Sequence, residues 1–398
     1  VLWTVLEVML VALCALVLLP TFVLFVEVVA SLFYRSRLKP ISANNLRVAV
    51  LVPAHNESAS LVPTLSDIRT QLSPHDRLLV VADNCTDDTA TIARDHHAEV
   101  IERHDDQRIG KGYALDFGIR HLSSEHPEVL LIIDADCRLS HGAVAELASI
   151  AEAMQRPAQA LYLMTAHSPA SVAQRASEFA WRIKNQIRPS GLHALNLPCQ
   201  LMGSGMALPW RLVSKSDLAS GHIVEDLKLG LDLAAQGHPP VFCPHIQVTS
   251  SFPTSLHAAI SQRYRWEHGH VRMLISVGPK LVLKAIGRGD VKLMGQVLDL
   301  LVPPLALLGF VNLSVLAISG IAWISGSSAL PLVLSGLSLG LMFASVLLCW
   351  ISKGRDLLAV ADLPLAFGYL ASKVGLYRKL VSGAGVKTWV RTDRGEHR

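Results

Sequence analysis

The sequence predicts an α/β layer domain set between apolar membrane helices, and two observations carry that prediction. Residues 40–290 alternate short β-branched runs with stretches of helical period, the signature of strands and helices in layers. Outside that region the chain is too apolar for a soluble protein: 53 residues pass without a charge between Asp299 and Lys353. Composition agrees, with 51% hydrophobic and 17% charged residues, against about 25% charged in ordinary soluble chains. The net charge of +4 is uneven, because residues 352–398 hold nine Lys/Arg and four Asp/Glu, leaving the first 351 at −1.

Taken from the amino end, Val8–Val26 is uncharged, and the apolar run extends to Trp3 and Leu32 with only Glu7 and Glu27 inside it. A helix of about 20 such residues crosses a bilayer core. A cleaved signal would need a shorter apolar stretch behind basic residues, so residues 1–33 are expected to form a transmembrane helix. No Lys or Arg precedes Arg35, whereas Arg35, Arg37 and Lys39 follow at once. Positive charge collects on the cytosolic side, which places the amino end outside and the next domain, residues 40–250, in the cytosol.

Four runs in that domain read as strands buried on both faces: Leu46–Ala54, Arg77–Asp83, Ala98–Arg103 and Val129–Asp136. Ligands of open α/β sheets bind beyond strand carboxyl ends, so the polar residues there are the informative ones. The first strand ends in Pro53-Ala54-His55-Asn56-Glu57 and the second in Asp83-Asn84-Cys85-Thr86-Asp87-Asp88-Thr89. Asp87 and Asp88 read as turn or capping residues. Asp83 differs, since a strand-end carboxylate can accept a hydrogen bond from a nucleobase imide, and Glu57 stands at a parallel position. Lys111, between Gly110 and Gly112 at a helix start, can meet a diphosphate with a point charge beside helix-end amides. Asp134-Ala135-Asp136 follows four apolar residues, putting two acids on one face of a strand end. Such acids repel unless a cation joins them, and oxygen ligands suit Mg²⁺ or Mn²⁺.

Glu225 and Asp226 precede an amphipathic stretch ending at Gly237. They are either first-turn acids favoured by the helix dipole or a general base for a hydroxyl nucleophile. Gln262-Arg263-Tyr264-Arg265-Trp266 falls in a helix within residues 251–294, expected to lie at the membrane interface. Residues 297–352 are expected to make two spans around a turn at Ser325–Ser328, and 356–381 a re-entrant or interfacial helix or a third C-terminal span, the first being favoured because of Asp362 and Lys373. Residues 382–398 form a basic cytosolic tail suited to anionic lipid. Six cysteines without a CxxC pair suggest neither a disulfide framework nor zinc. His268 and His270 lack companions for a metal site, and no basic stripe interleaved with aromatics points to nucleic acid.

In their order and spacing, PAHNE, ADNCTDDT, GKG, DAD, VED and QRYRW resemble the membrane-integrated glycosyltransferases of family 2, the group of cellulose, chitin, hyaluronan and poly-N-acetylglucosamine synthases. The resemblance covers residues 46–270 by motif and the flanking spans by layout. It implies a Rossmann-like GT-A domain that binds a nucleotide sugar, commonly UDP-linked, with Mg²⁺ or Mn²⁺. Carried over by position, it implies that Pro53, Glu57 and Asp83 hold the nucleotide, with Lys111 near base or diphosphate and Asp134 on nucleotide or sugar. Asp136 would take the metal and Asp226 would be the base. Gly203-Ser204-Gly205, Glu225, Gln262, Arg265 and Trp266 would line the acceptor and diphosphate end. His55 stands where Tyr is more frequent, and Val224 where cellulose synthases have Thr.

The expected activity is inverting transfer from a UDP-hexose or UDP-N-acetylhexosamine to the hydroxyl of a growing saccharide, giving a β-linkage at the inner or plasma membrane. The expected partners are the nucleotide sugar, a saccharide or lipid acceptor, membrane lipid and accessory secretion subunits. Single transfer to a glycolipid is the second expectation. A transporter or non-catalytic scaffold is the third, and it would not need both acids of DAD and the pair of VED at strand ends.

Overall fold

The computed structural model describes residues 2–35, 46–219, 221–253 and 255–372. These fall into two compact units, one of residues 46–168 and 198–269, the other of 2–34, 169–197 and 270–372.

Helix α1 (Leu2–Leu32) comes first. The sheet unit then runs β1 (Val48–Ala54), α2 (Ser58–Arg69), β2 (Arg77–Asp83), α3 (Thr89–Asp95), β3 (Glu99–Arg103), α4 (Lys111–Leu122), β4 (Val129–Ile132), β5 (Arg138–Leu139), α5 (Ala143–Met154) and β6 (Ala158–Thr165). Helices α6 (Val172–Arg182) and α7 (Arg188–Ala194) follow, and then β7 (Met206–Pro209), α8 (Trp210–Val213), α9 (Glu225–Ala235), β8 (Val241–Ser251) and the long α10 (Leu256–Ser276). The last described elements are α11 (Gly278–Arg288), α12 (Val291–Leu301), α13 (Leu305–Ile324), α14 (Leu330–Lys353) and α15 (Leu363–Ser372).

The strands make one sheet in the order β3-β2-β1-β4-β7-β6-β8-β5. Its first four strands are parallel, as the apolar runs of β1, β2 and β4 lead one to expect, whereas β3, expected to be buried on both faces, is the edge strand and is only partly buried. β7 is antiparallel to both β4 and β6, β6 pairs parallel with β8, and β5 is antiparallel to β8, so β7 and β5 run against the other strands. Leu51, Leu79, Leu130 and Ile132 are fully buried and pack with Leu115, Ile119 and Leu122 of α4. One expectation is corrected: the fourth strand stops at Ile132, and Asp134–Asp136 lie on the turn that follows. The amide of Cys137 donates to the carbonyl of Asp134 at 3.1 Å. Turning the backbone there carries both acids out of the two-faced apolar layer, where a continued strand would have buried both on one face.

In the second unit, Val5–Leu32, Leu305–Ile324 and Leu330–Lys353 are long and apolar enough to cross a membrane. The chain turns between α13 and α14 at Ser325–Ala329, and Pro331 sits in the first turn of α14, where its missing N–H costs nothing. The Asn312 amide donates to the Thr21 hydroxyl at 3.2 Å, and the Ser338 hydroxyl donates to Asn312 Oδ1 at 2.6 Å, all three being buried. Asn312 therefore pins three helices to each other. Arg188 is buried with two acids: its Nε lies 2.6 Å from Glu27, and its Nη2 2.5 Å from Asp299. Burial alone would push the guanidinium down, but Asp299 and Glu27 outweigh it and hold Arg188 firmly charged. After α14, Asp356 pairs with Arg182 at 2.6 Å and Asp362 with Arg175 at 2.9 Å. Arg37, Lys39, residues 373–381 of the last expected helix and the tail 382–398 lie outside the described residues.

Candidate active site

The parallel half of the sheet delivers its polar residues at one edge. His55 Nδ1 donates to the carbonyl of Asp83 at 2.6 Å and so ties the end of β1 to the end of β2. Asn56 adopts φ 54°, a left-handed conformation that asparagine tolerates, and accepts from the Thr86 amide at 2.7 Å. Asp87 takes the amide and hydroxyl of Thr89 at 3.1 and 2.5 Å, the turn role expected of it. Glu57, just before α2, accepts from the Ser60 hydroxyl at 2.5 Å, and Pro53 is the next-to-last residue of β1.

Asp83 is buried with Arg103, whose Nη1 lies 2.6 Å from Asp83 Oδ1. Sequence reasoning does not single out Arg103, and the available signal was its place at the end of the third strand run. Burial raises the pKa of Asp83 and Arg103 works against that rise. Arg103 Nη2 also donates to the Arg108 carbonyl at 2.6 Å, and its guanidinium lies 5.6 Å from the centre of the Tyr113 ring. The loop leading to Lys111 is thus held by the same side chain that holds Asp83.

Lys111 is the first residue of α4, and its ammonium is the centre of the site. It pairs with Asp134, lies 3.9 Å from Glu225, and donates to the Gly203 carbonyl at 2.8 Å. Gly203 has φ +90°, and a Cβ there would sit 3.2 Å from Asp226 Oδ2 and 3.6 Å from Lys111 Nζ. The conformation favours glycine, and a side chain there would crowd the Asp226 carboxylate. Ser204 is buried and accepts from the Asp134 amide at 3.0 Å, while Gly205 packs on Ala160 and Val248. DAD, VED, GKG and Gly203-Ser204-Gly205 therefore converge, although they lie far apart in sequence.

Glu225 and Asp226 are the first two residues of α9. Burial pushes the Glu225 carboxyl up from an ordinary 4.5 to about 8; Lys111 lowers it and Asp226 adds to the rise. Lys111 would be pushed down by burial, yet Asp134 and Glu225 raise it instead. The structure places Gln262 and Arg265 on the buried side of α10, one helical turn apart, with Trp266 half-buried next to them. Farther along the same helix, a Cβ on Gly269 would come within 2.6 Å of Val224, so α10 packs closely on the residue before Glu225.

Asp134, Asp136 and Cys137 offer ligand atoms all within 4.8 Å of one another. Burial pushes the Cys137 thiol well up, and it accepts a hydrogen bond from Ser204 at 3.2 Å, so it stays a neutral thiol and a poor ligand for a hard cation. That leaves two carboxylates. Asp136 also accepts from the Ser250 hydroxyl on β8, a partner that nothing in the sequence signals. Oxygen donors steadied by a hydroxyl fit Mg²⁺ or Mn²⁺.

Residues 45–269 match the family described as Glycosyltransferase like family 2. The chain belongs to this family. An uncharacterized glycosyltransferase of Mycobacterium tuberculosis is 33% identical over 148 residues, 35% of this chain and 61% of that one. The 4,4′-diaponeurosporenoate glycosyltransferase of Staphylococcus aureus is 29% identical over 106 residues, 26% of this chain and 27% of that one. The chain thus spans under two thirds of the length of these relatives. Among solved structures, the mannosyltransferase PcManGT of Pyrobaculum calidifontis, in complex with GDP-Man and Mn²⁺, is similar at a TM-score of 0.52 and 16% identity, over 88% of this chain and 99% of that one. The fold of this family 2 chain is accordingly of the GT-A type, with three apolar helices flanking the domain.

The Glu225 environment has a measurable consequence for this family 2 domain. Burial raises the Glu225 carboxyl above its ordinary 4.5, so the folded state holds that proton to higher pH than the unfolded chain does. The native state then binds more protons across the interval between the two titrations, and stability falls as pH rises through it. Thermal unfolding of Glu225→Gln in detergent between about pH 5 and pH 8 is expected to show a flatter decline of Tm than the parent protein; an unchanged slope would place the proton elsewhere.

Proposed function

We propose that this chain is a membrane-integrated, inverting glycosyltransferase that moves a sugar from a nucleotide sugar, a UDP-hexose or UDP-N-acetylhexosamine, to a hydroxyl of a growing saccharide. The observation that carries the reading is the convergence on Lys111: three carboxyl groups, from Asp134, Glu225 and Asp226, gather around one ammonium, and Asp136 lies beside Asp134. That excess of acid suits a divalent cation and a diphosphate arriving together, with Lys111 supplying the positive charge that meets the phosphates.

In this reading Asp226 accepts the proton of the acceptor hydroxyl as that oxygen attacks the anomeric carbon from the face opposite the diphosphate. The bond from carbon to the leaving oxygen breaks, an α-linked donor becomes a β-glycoside, and the nucleoside diphosphate departs with the electron pair. When bound, Mg²⁺ or Mn²⁺ on Asp136 and Asp134 supplies charge neutralisation for the leaving diphosphate. Lys111 adds to that stabilisation, and Arg265, whose buried guanidinium has its pKa lowered by desolvation, lies on the helix that packs beside VED. Asp83, steadied by Arg103, and Glu57 with Pro53 serve the nucleoside. Gly203-Ser204-Gly205, Glu225, Gln262 and Trp266 shape the acceptor end.

The three apolar helices support placement in the inner or plasma membrane, and Arg35 directly after α1 supports a cytosolic catalytic domain. A lipid or saccharide acceptor would then be met at the bilayer, with secretion subunits as further partners. A second reading, single transfer to a lipid, is favoured by the likeness to a staphylococcal enzyme whose name specifies a diaponeurosporenoate. Product length separates the two readings.

Purified protein with Mn²⁺ is expected to release nucleoside diphosphate from one sugar in a panel of UDP- and GDP-sugars. Asp226→Asn is expected to abolish that release and keep nucleotide binding, and loss of both would show a structural role instead. Ser250→Ala is expected to raise the Mn²⁺ concentration giving half-maximal release by about tenfold or more, as loss of a group orienting a ligand does; an unchanged Mn²⁺ dependence removes Asp136 from the metal site.

A further inference from the structure

The segment that gathers the catalytic groups is held by a side chain outside every motif. Gln159, the second residue of β6, is fully buried in a strand whose other buried residues are hydrophobic. A carboxamide out of water is costly unless its donors and its acceptor are all met. Here they are met by one loop and by the strand itself. Gln159 Nε2 donates to the Ser204 carbonyl at 2.9 Å and to the Ala160 carbonyl at 2.9 Å, with the Gly205 carbonyl farther off at 3.4 Å. Its Oε1 accepts from the Met202 amide at 2.8 Å. These partners fix which way the group faces, since a reversed amide would set oxygen against carbonyl oxygen.

The sheet explains why a side chain is used at this point. β6 pairs with β7 only through Ala158 with Ala207 and Gln159 with Met206, and the Ala160 amide reaches one residue farther, to the Gly205 carbonyl at 2.8 Å. Met202 and Ser204 precede β7 and lie beyond that ladder. Backbone groups there still need partners. The Gln159 carboxamide takes the place of a peptide group and serves both the Met202 amide and the Ser204 carbonyl.

The loop so held does not fix its own shape, because Gly203 and Gly205 have φ of 90° and 69° and glycine loses the most freedom on ordering. Its contacts are functional ones. The Gly203 carbonyl accepts from Lys111 Nζ at 2.8 Å, and the Ser204 hydroxyl oxygen accepts from the Asp134 amide at 3.0 Å. One buried amide therefore braces the segment against which both the ammonium and the DAD turn are set.

We propose that Gln159 is a positioning residue for sugar transfer: through residues 202–205 it sets the Lys111 ammonium where the diphosphate of the nucleotide sugar is met. The proposal rests on the reading of the Lys111 cluster as the diphosphate site. Gln159→Met keeps the length of the side chain and removes its hydrogen bonds, while Gln159→Asn keeps the amide but leaves it one methylene short of Met202 and Ser204. Each is made in the full chain, alone and together with Lys111→Met, and titrated with UDP and with GDP in the presence of Mn²⁺.

Either change alone is expected to weaken binding of the nucleotide that the parent takes by about tenfold, the loss of a buried hydrogen-bonding group. In the Lys111→Met background the same change is expected to cost less than about threefold, because the group it positions is gone. Equal losses in the two backgrounds overturn the proposal in favour of a merely structural role. Unchanged binding in both variants overturns it as well, and so does failure of both to fold, judged by thermal unfolding in detergent.

Hydrogen exchange separates the brace from the reading of the site. Gln159→Met is expected to speed exchange of the 202–205 amides by about tenfold or more, while the amides of β1 and β2 keep the parent's rates. Unchanged exchange at 202–205 in a chain that binds nucleotide overturns the proposal alone. If the parent binds neither nucleotide, the reading of the site falls and takes the positioning role with it.

Discussion

A lysine held among carboxyl groups is the constraint on which the catalytic domain depends. Lys111 must reach Asp134 from the turn after β4, Glu225 from the start of α9 and the carbonyl of Gly203 from the segment before β7. An ammonium taken out of water costs several kcal/mol unless it is paired, so these three segments are locked to the amino end of α4. The change of strand direction between β4 and β7 follows at the same place, because the chain must bring Gly203 back beside the acids. Burial and Asp226 push the Glu225 carboxyl up, and Lys111 works against both, so the ammonium is what lets these acids stay close.

The other unit has a counterpart in Arg188, the only described cation shared by Glu27 and Asp299. Burying three charges confers little net stability, but removing one of them leaves the others uncompensated. The triad therefore acts as a register pin for α1, α7 and α12, while the Thr21–Asn312–Ser338 network does the same deeper in the bundle. Both networks use few polar side chains in apolar surroundings, where alternatives to a satisfied partner are expensive.

Much of this was legible in the sequence for reasons that differ by element. Apolar runs mark β1 and β2, and the Val-Ile pair marks β3, nearly to the residue, and uncharged length marks α1, α13 and α14. The motif acids are visible because carboxylates at the end of buried runs stand out. The two reversed strands were not visible, since β5 and β7 are two and four residues long and lack a period. Arg103, Ser250 and the Arg188 triad were hidden because each works through a partner distant in sequence. The turn at Asp134–Asp136 replaced the expected strand end because burial of an acid outweighs the β-propensity of the run before it.

The central claim is that the cluster around Lys111 receives a metal-bound nucleoside diphosphate. Equilibrium titration of the purified, folded chain with UDP and with GDP, with and without Mn²⁺, compared with Lys111→Met, tests it most directly. The account predicts binding that needs Mn²⁺ and weakens by about tenfold or more in the variant, as expected when a charged hydrogen-bond partner is lost. Binding of equal strength in both proteins, with or without the metal, would contradict it.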